Sequence, residues 1–290
     1  MPGRTTKNDR VPAAARLREL SADLLKIASD LGDTMSSKDA HRLRTSIRRI
    51  EVVMEGAEEN RGSKKLHRQL DGMRRAAGHV RDIDVQTDLL QGLDAGDYSS
   101  DCSALKNALL RRREKLEKKA AKQVSKEVGK DLEVRLEKLA AAIEDSGVPP
   151  RVTSHVRIET IRRQYVEFTT EVPLDGDPLH DLRKGTKRLR YRLEAIPGRE
   201  SHALGKELKV VQDAIGEWHD WATLTEEGER RLEQRSIAFV AFLRSRSTAK
   251  RHEARRAVLA LRLKLLQAKA GKKRPVGSSV PDIRTFEAAG

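Results

Sequence analysis

Residues 41–50 read HRLRTSIRRI, and residues 180–189 read HDLRKGTKRL. Each stretch opens with a histidine and carries basic residues three, seven and eight positions later, and the two stretches lie 139 residues apart. On a helix of roughly 100° per residue, the histidine and most of these basic residues share one side, while the leucines and isoleucines share the opposite side. The two stretches therefore predict a pair of equivalent helices, each apolar on one face and cationic on the other.

A second pair of matching stretches follows the first pair in the same order. Residues 70–82 and 208–220 both carry Leu, an apolar residue, Ala and Gly at the same spacing, and they end in Arg81-Asp82 and His219-Asp220. Their offset is 138 residues. Two matched blocks at nearly one offset are hard to obtain by chance, so the sequence predicts two related helical halves, each a four-helix bundle.

The composition supports an all-α fold. Apolar residues make up 37% of the 290-residue chain and aromatic residues only 3%, and glycine and proline are scarce. β-Sandwiches and barrels depend on aromatic and β-branched residues, so this composition counts against them.

Breaks in the helical pattern give the domain boundaries. The linker SGVPP at residues 146–150 separates the two halves. The predicted segments are a flexible N-terminus at 1–12, a first helical half at 13–147, a second helical half at 151–268 and a disordered tail at 271–290.

Three local features refine this picture. Residues 101–145 are predicted to form two helices hinged near Val128 and Gly129, and Gly78 is predicted to interrupt its helix. Three helical tracts are expected after a break at Pro197-Gly198.

Charge is the main functional signal. The chain has 59 Lys and Arg against 44 Asp and Glu, a formal net charge of +15, and a pI near 10.0. Residues 41–50 contain four arginines and residues 182–192 contain six Lys or Arg, with no acid in either stretch. Solvated helix faces usually mix charges, because like charges at i,i+4 repel. The two helices therefore predict an anion site, phosphate above all, with a merely basic surface as the alternative.

Several other classes of protein are not supported by the sequence. No apolar run approaches the length of a membrane span, and the first residues contain no apolar signal segment, so we expect a cytoplasmic protein with no membrane partner. Cys102 is the single cysteine, which excludes an internal disulfide and a multi-cysteine metal cluster. No phosphate-binding loop of the nucleotide hydrolases occurs. We predict no cofactor, no metal ion and no catalytic residue.

At these residues the chain resembles the CHAD domain, the conserved histidine α-helical domain. The resemblance rests on HDLRKGTKRLRY at 180–191, LKVVQDAIGEWHD at 208–220 and GHVRDIDV at 78–85, and it covers roughly residues 15–265. It implies two four-helix bundles related by a pseudo-twofold axis, with basic helices lining a central groove that binds inorganic polyphosphate. It further suggests an association with polyphosphate granules.

Carried over position by position, the resemblance gives a set of polyphosphate-binding residues. They are His41, Arg44, Arg48, Arg49, His180, Arg183, Lys184, Lys187, Arg188 and Arg190. Glu51 and His219 depart from the family pattern. His41 and His180 are either extra cations in the field of the polyanion or neutral hydrogen-bond donors in the groove wall. Asp82 and Asp220 either orient basic side chains or cap helices.

Two other functions stay open at this point. Nucleic-acid binding is allowed by the charge, but the nine aromatic residues form no stacking platform, and Trp218 and Trp221 are expected to fill the core. A metal-dependent polyphosphate hydrolase is suggested by the His180-Asp181 and His219-Asp220 pairs. Such pairs arise easily in a chain with eight histidines, and the cations around them repel a metal ion.

Overall fold

The computed structural model is built from α-helices, with no strand among the residues it describes: 13–54, 61–129, 131–145, 154–171, 178–194, 196–232 and 236–271. The helices are α1 (Ala13–Ser29), α2 (Ser37–Met54), α3 (Arg61–Gln91), α4 (Ser99–Val128), α5 (Leu132–Asp145), α6 (Ser154–Glu171), α7 (Pro178–Glu194), α8 (Arg199–Arg231) and α9 (Ile237–Gly271). A short 3₁₀ turn, Gly96–Tyr98, precedes α4. The all-α prediction is confirmed.

Helices α1 to α5 share one apolar core. Helix α2 begins after Ser36, whose Oγ accepts a hydrogen bond from the Asp39 N–H at 3.1 Å and so caps the first turn. Its apolar face, Leu43, Ile47 and Ile50, is completely buried in that core. Because this face is buried, the cationic face of α2 points away from the core of the first half.

Helices α6 to α9 form a second core. Helix α7 buries Leu182, Leu189 and Leu193 in it, as the sequence predicts. Helix α7 ends before Pro197 and Gly198, and Gly198 has φ +124°, a backbone conformation that residues with a side chain rarely adopt. The break predicted at this point is confirmed.

A third core joins the two groups of helices. It contains Ile83 and Leu90 of α3, Leu105 of α4, Leu224 of α8 and Phe239 of α9. Helix α3 also contacts α8, and α2 contacts α7. Burial of these apolar side chains fixes the two groups relative to each other and brings the basic helices α2 and α7 side by side.

The structure corrects two details of the helix assignment. Helix α3 runs without interruption through Gly78, and two long helices, rather than three tracts, follow Gly198. The hinge predicted near Gly129 is confirmed, since α4 ends at Val128 and α5 begins at Leu132. This hinge gives the first group of helices five members rather than four.

The N-terminus at 1–12, the linker at 146–150 and the tail from residue 272 onward lie outside the described residues. The predictions made for these segments are therefore not tested here.

Two helical glycines should respond in opposite ways to alanine. A Cβ at Gly185 would collide with the Phe168 ring, whereas a Cβ at Gly216 meets nothing within 4 Å. We expect Gly185→Ala to lower the free energy of unfolding by about 1–3 kcal/mol through overpacking. Gly216→Ala should raise it by about 0.5–1 kcal/mol through helix propensity. Urea unfolding followed by circular dichroism measures both, and equal effects would contradict the packing described here.

Candidate functional site

Four basic side chains from two helices meet where α2 contacts α7. Arg44 and Arg48 come from α2, and Arg183 and Lys187 come from α7; we call them the four-cation cluster. All four are only partly exposed. Burial and the charges of Arg183, Arg48 and Arg44 lower the pKa of Lys187 to about 6. Burial and the neighbouring charges both oppose a further positive charge in the cluster.

Helix α3 supports Arg44 from one side. A Cβ at Gly78 would overlap the Arg44 guanidinium, so glycine at this position lets the arginine lie directly against the helix. Asp82, one turn further along α3, has its Oδ1 4.0 Å from Arg44 Nη1. Burial lowers the pKa of Arg44, and Asp82 opposes that shift. Gly78 and Asp82 thus fix the position of one cation of the cluster.

Arg183 occupies the equivalent place on α7. Its Nε is buried and has no hydrogen-bond partner within the part of the chain that the structure describes. Burial lowers its pKa, while the charge of Asp220 on α8 opposes the shift. A buried guanidinium N–H without a partner is costly, and an anion in the cluster would be a suitable acceptor.

Two histidines lie beside the cluster. The ring centroids of His180 and His219 are 5.5 Å apart. Burial and the charge of Arg183 lower the pKa of His219 to about 4, and burial with the charge of Lys184 lowers that of His180. Both shifts favour the neutral imidazole in the free protein.

The acidic residues of the site are Asp82 and Asp220, which come from equivalent positions of the repeat. Burial raises the pKa of Asp220 to about 6, with Asp82 adding to the shift and Arg183 opposing it. These two carboxylates face three arginines and a lysine that is largely neutral at pH 7, which still leaves the site with an excess of positive charge. They interact with Arg44 and Arg183, which agrees with the hypothesis that they orient basic side chains.

The structure separates the other candidate residues from this cluster. His41 and Arg49 line a cavity of about 230 Å³ between α1 and α2, together with Asp23. Lys184 is exposed, and its Nζ lies 3.6 Å from Asp181 Oδ1. Arg188 is exposed.

Arg190 continues the stripe of Arg183 and Lys187, one turn further along α7. Its Nε donates to Gln212 Oε1 at 2.9 Å, and its Nη1 donates to Glu194 Oε1 at 2.7 Å. Glu51 occupies the equivalent place on α2 and departs from the family pattern. Its Oε1 lies 3.3 Å from Arg74 Nε. Arg74 and Gly78 are site residues that the sequence reasoning missed, although Gly78 recurs in the repeat as Gly216.

The remaining features concern metals and membranes. No three His, Cys, Asp or Glu side chains among the described residues are grouped so as to hold a metal ion. No described helix is long and apolar enough to cross a membrane.

The low pKa of His219 should depend on its cationic neighbours. Lys187 is protonated in the acidic range where His219 titrates, so it repels the imidazolium. We expect Lys187→Met to raise the pKa of His219 toward its ordinary value, because the variant removes that charge. The matched variant Lys184→Met, which changes an exposed side chain on the same helix, should shift it much less. Titration of the histidine ring protons by NMR measures both; an unchanged value in Lys187→Met would contradict the cluster.

Comparison with known proteins places this geometry in a family. A family model described as the CHAD domain matches residues 13–229. The structure is similar to the crystal structure of the CHAD domain from the plant Ricinus communis, with a TM-score of 0.67 and 18% identity over 90% of this chain and 94% of that chain. It is also similar to PptA from Streptomyces chartreusis, with a TM-score of 0.62 and 14% identity over 86% and 97% of the two chains. Comparison with curated protein sequences finds no match. These structural likenesses show the shared fold, and because the family model covers well over half of the sequence, the chain belongs to the CHAD domain family.

Proposed function

We propose that this protein binds inorganic polyphosphate, without catalysis, in a basic groove between two pseudo-twofold-related helical bundles. The observation that carries the proposal is the four-cation cluster, in which two partly buried cations from α2 meet two from α7. Like charges that are partly buried and only partly compensated by Asp82 and Asp220 destabilise the free protein. An anion that lies between the two helices removes that repulsion.

The chemistry of the donors favours a linear phosphate polymer. Guanidinium groups bind phosphate oxygens with two parallel hydrogen bonds, and the cluster has three arginines. The buried Arg183 Nε has no partner among the described residues and is a further donor. Polyphosphate carries a charge on every unit and no bases to be read, so spaced cations and the release of counterions suffice for binding.

The remaining candidate residues flank the cluster in this proposal. His41 and Arg49 lie on the α1 side of α2, and Lys184 and Arg188 lie at the exposed side of α7. They are positioned to contact parts of a long polymer that extend beyond the four-cation cluster. Association with polyphosphate granules in the cytoplasm would follow from binding of this kind.

The two rival functions are less well supported. Asp220 faces Arg183, and His219 is surrounded by cations, so this His-Asp pair lacks the acidic surroundings that a catalytic metal ion needs. Trp218 packs against the second core and Trp221 packs against the third. Both rings are therefore engaged in packing and do not form a platform on which bases stack.

Paired substitutions should separate the cluster from the rest of the basic stripe. Arg48→Ala/Lys187→Ala removes one cluster cation from each helix, and Arg49→Ala/Arg188→Ala removes the neighbouring cation from each. We expect the first variant to weaken binding of long-chain polyphosphate by about a hundredfold or more, because two charge-assisted contacts are lost. The second variant should weaken it by less than about tenfold. Isothermal titration calorimetry measures both.

Stability provides the second readout of the same experiment. Since Arg48→Ala/Lys187→Ala removes a cationic neighbour of Arg44 and Arg183 and a largely neutral, desolvated amine, its thermal midpoint without ligand should be equal to or above that of the wild type. Equal losses of affinity in the two variants would contradict the cluster as the centre of the site. Displacement of polyphosphate by duplex DNA at the same phosphate concentration would favour a nucleic-acid function instead.

Binding should also become tighter as the pH falls from 8 to 6. Lys187 is largely neutral at pH 7, with Arg44 and Arg48 of α2, Arg183 of α7 and Asp220 of α8 around it. A bound polyanion raises the pKa of Lys187, so binding takes up a proton. The uptake of one proton allows the affinity to rise by up to about tenfold for each unit by which the pH falls.

The matched variant for this pH dependence is Lys187→Arg, which stays charged throughout the range. It should bind well at pH 8 and show a weaker dependence on pH. Calorimetry in buffers of different ionisation enthalpy measures the proton uptake. An identical uptake in wild type and variant would show that Lys187 is not its source.

A further inference from the structure

Helix α4 carries an exposed row of cations on the side opposite to its buried face. Its apolar residues Leu105, Leu109 and Val124 are completely buried. On a helix of roughly 100° per residue, six basic residues fall within about 100° of one another on the other side. We call them the α4 stripe: Arg111, Lys115, Lys118, Lys119, Lys122 and Lys126, all of them exposed. At about 1.5 Å of rise per residue, the stripe is about 22 Å long.

The acidic residues of α4 do not neutralise this stripe. Three of its four acids are engaged by other groups, namely Asp101 by Ser236, Glu117 by Arg113 and Glu127 by Gln123. The fourth, Glu114, is exposed at the edge of the stripe. None of the six cations has an ion pair or a side-chain hydrogen bond within the described part of the chain. The stripe therefore attracts anions from solution.

The equivalent helix of the second half has no such stripe. At the repeat offset of 138 residues, buried positions of α4 fall on buried positions of α9, as Leu105 and Leu243 show. The six positions of the stripe fall on Ala249, Glu253, Arg256, Ala257, Ala260 and Lys264. Lys264 Nζ lies 2.6 Å from Glu207 Oε1, so this cation is paired. Because alanine suffices at three of these positions in α9, packing of the helix does not account for the cations of α4.

The α4 stripe is separate from the four-cation cluster. Helix α4 packs mainly against α1, α3, α5 and α8, whereas the cluster lies between α2 and α7. The charges that act most strongly on the cluster come from α2, α3, α7 and α8, with none from α4. A phosphate chain held at the cluster therefore leaves the stripe accessible to another stretch of polymer.

The form of the stripe favours a linear polyanion. Five of its six residues are lysines, whose ammonium groups are point charges that attract anions without the bidentate geometry of arginine. They lie in a single row, about one helical turn apart, which a linear chain of charges follows more closely than a flat charged surface does. Helix α4 contains no aromatic residue on which a base could stack.

We propose that the α4 stripe is a second polyphosphate-binding surface, and that the protein cross-links polyphosphate by holding one stretch at the four-cation cluster and another at the stripe. This inference rests on the proposed function and adds cross-linking to it. Release of counterions drives binding at the stripe, so this contact depends strongly on salt. Two attachment points on one molecule connect different polymer chains and gather long-chain polyphosphate into particles, which short chains do not form.

The test compares two fourfold variants that lower the net charge equally. The stripe variant is Lys115→Gln/Lys118→Gln/Lys122→Gln/Lys126→Gln, and glutamine keeps a high helix propensity. The scattered variant changes exposed lysines on four other helices: Lys26→Gln/Lys65→Gln/Lys138→Gln/Lys206→Gln. Dynamic light scattering of mixtures with long-chain polyphosphate measures particle formation. We expect the stripe variant to need about tenfold more protein than the wild type to form particles. The scattered variant should need less than about twofold more.

Calorimetry separates the two surfaces. The stripe variant should lower the slope of log affinity for the long polymer against log salt by roughly three, because four phosphate contacts are lost. Tripolyphosphate is too short to connect two protein molecules, and its tight binding depends on the arginines of the cluster. Its affinity for the stripe variant should stay within about twofold of that for the wild type. Circular dichroism verifies that both variants keep their helices.

The outcomes distinguish this inference from the proposed function. If the wild type does not bind polyphosphate, the proposed function and the cross-linking both fail. If the wild type binds the polymer but forms no particles, or if the two fourfold variants form particles alike, the stripe is wrong while binding at the cluster stands. If Arg48→Ala/Lys187→Ala leaves binding unchanged and the stripe variant abolishes it, the cluster is not a second attachment point. If the stripe variant loses affinity for duplex DNA with particle formation unchanged, the stripe is a nucleic-acid surface instead.

Discussion

The close approach of Arg44, Arg48, Arg183 and Lys187, against the cost of burial and of repulsion, is the constraint on which the candidate site depends. These side chains would separate if their helices were free to move, because each loses hydration and gains cationic neighbours. They stay together because the opposite faces of α2 and α7 are buried in two separate cores, and a third core joins the two groups of helices. The free energy of apolar burial thus maintains a concentration of positive charge that the basic residues alone could not hold.

Burial, together with the same repulsion, explains the protonation states of the neighbouring groups. Burial is the main cause of the lowered pKa values of His219 and Lys187, and their cationic neighbours add to the shift; the raised pKa of Asp220 also reflects its burial. Binding of an anion would reverse the electrostatic part of these shifts. In the proposed function, affinity, proton uptake and the stability of the free protein are therefore linked properties of one cluster.

The repeat is similar in its apolar positions and different in its charges. Leucine and isoleucine recur on the buried faces of α2 and α7, since both helices pack against a core in the same way. The polar pair at the edge of the site is reversed, with Glu51 contacting Arg74 in one half and Arg190 contacting Gln212 in the other. Packing constrains the apolar residues, whereas the surface beside the four-cation cluster tolerates either charge.

The sequence by itself determined the helical class, the break at Gly198, the hinge near Gly129 and the direction of each side chain about its own helix axis. These features follow from helical periodicity and from the backbone limits of glycine and proline, which are local properties. It did not determine which neighbour each direction meets. Arg48 and Arg49 are adjacent in the chain, yet Arg48 faces α7 and Arg49 lines the cavity beside α1. Gly78 looked like a helix break, and only its contact with Arg44 shows why glycine stands within a continuous helix. The tertiary structure decided these points, because burial and the approach of helices that are distant in sequence depend on how the whole chain packs.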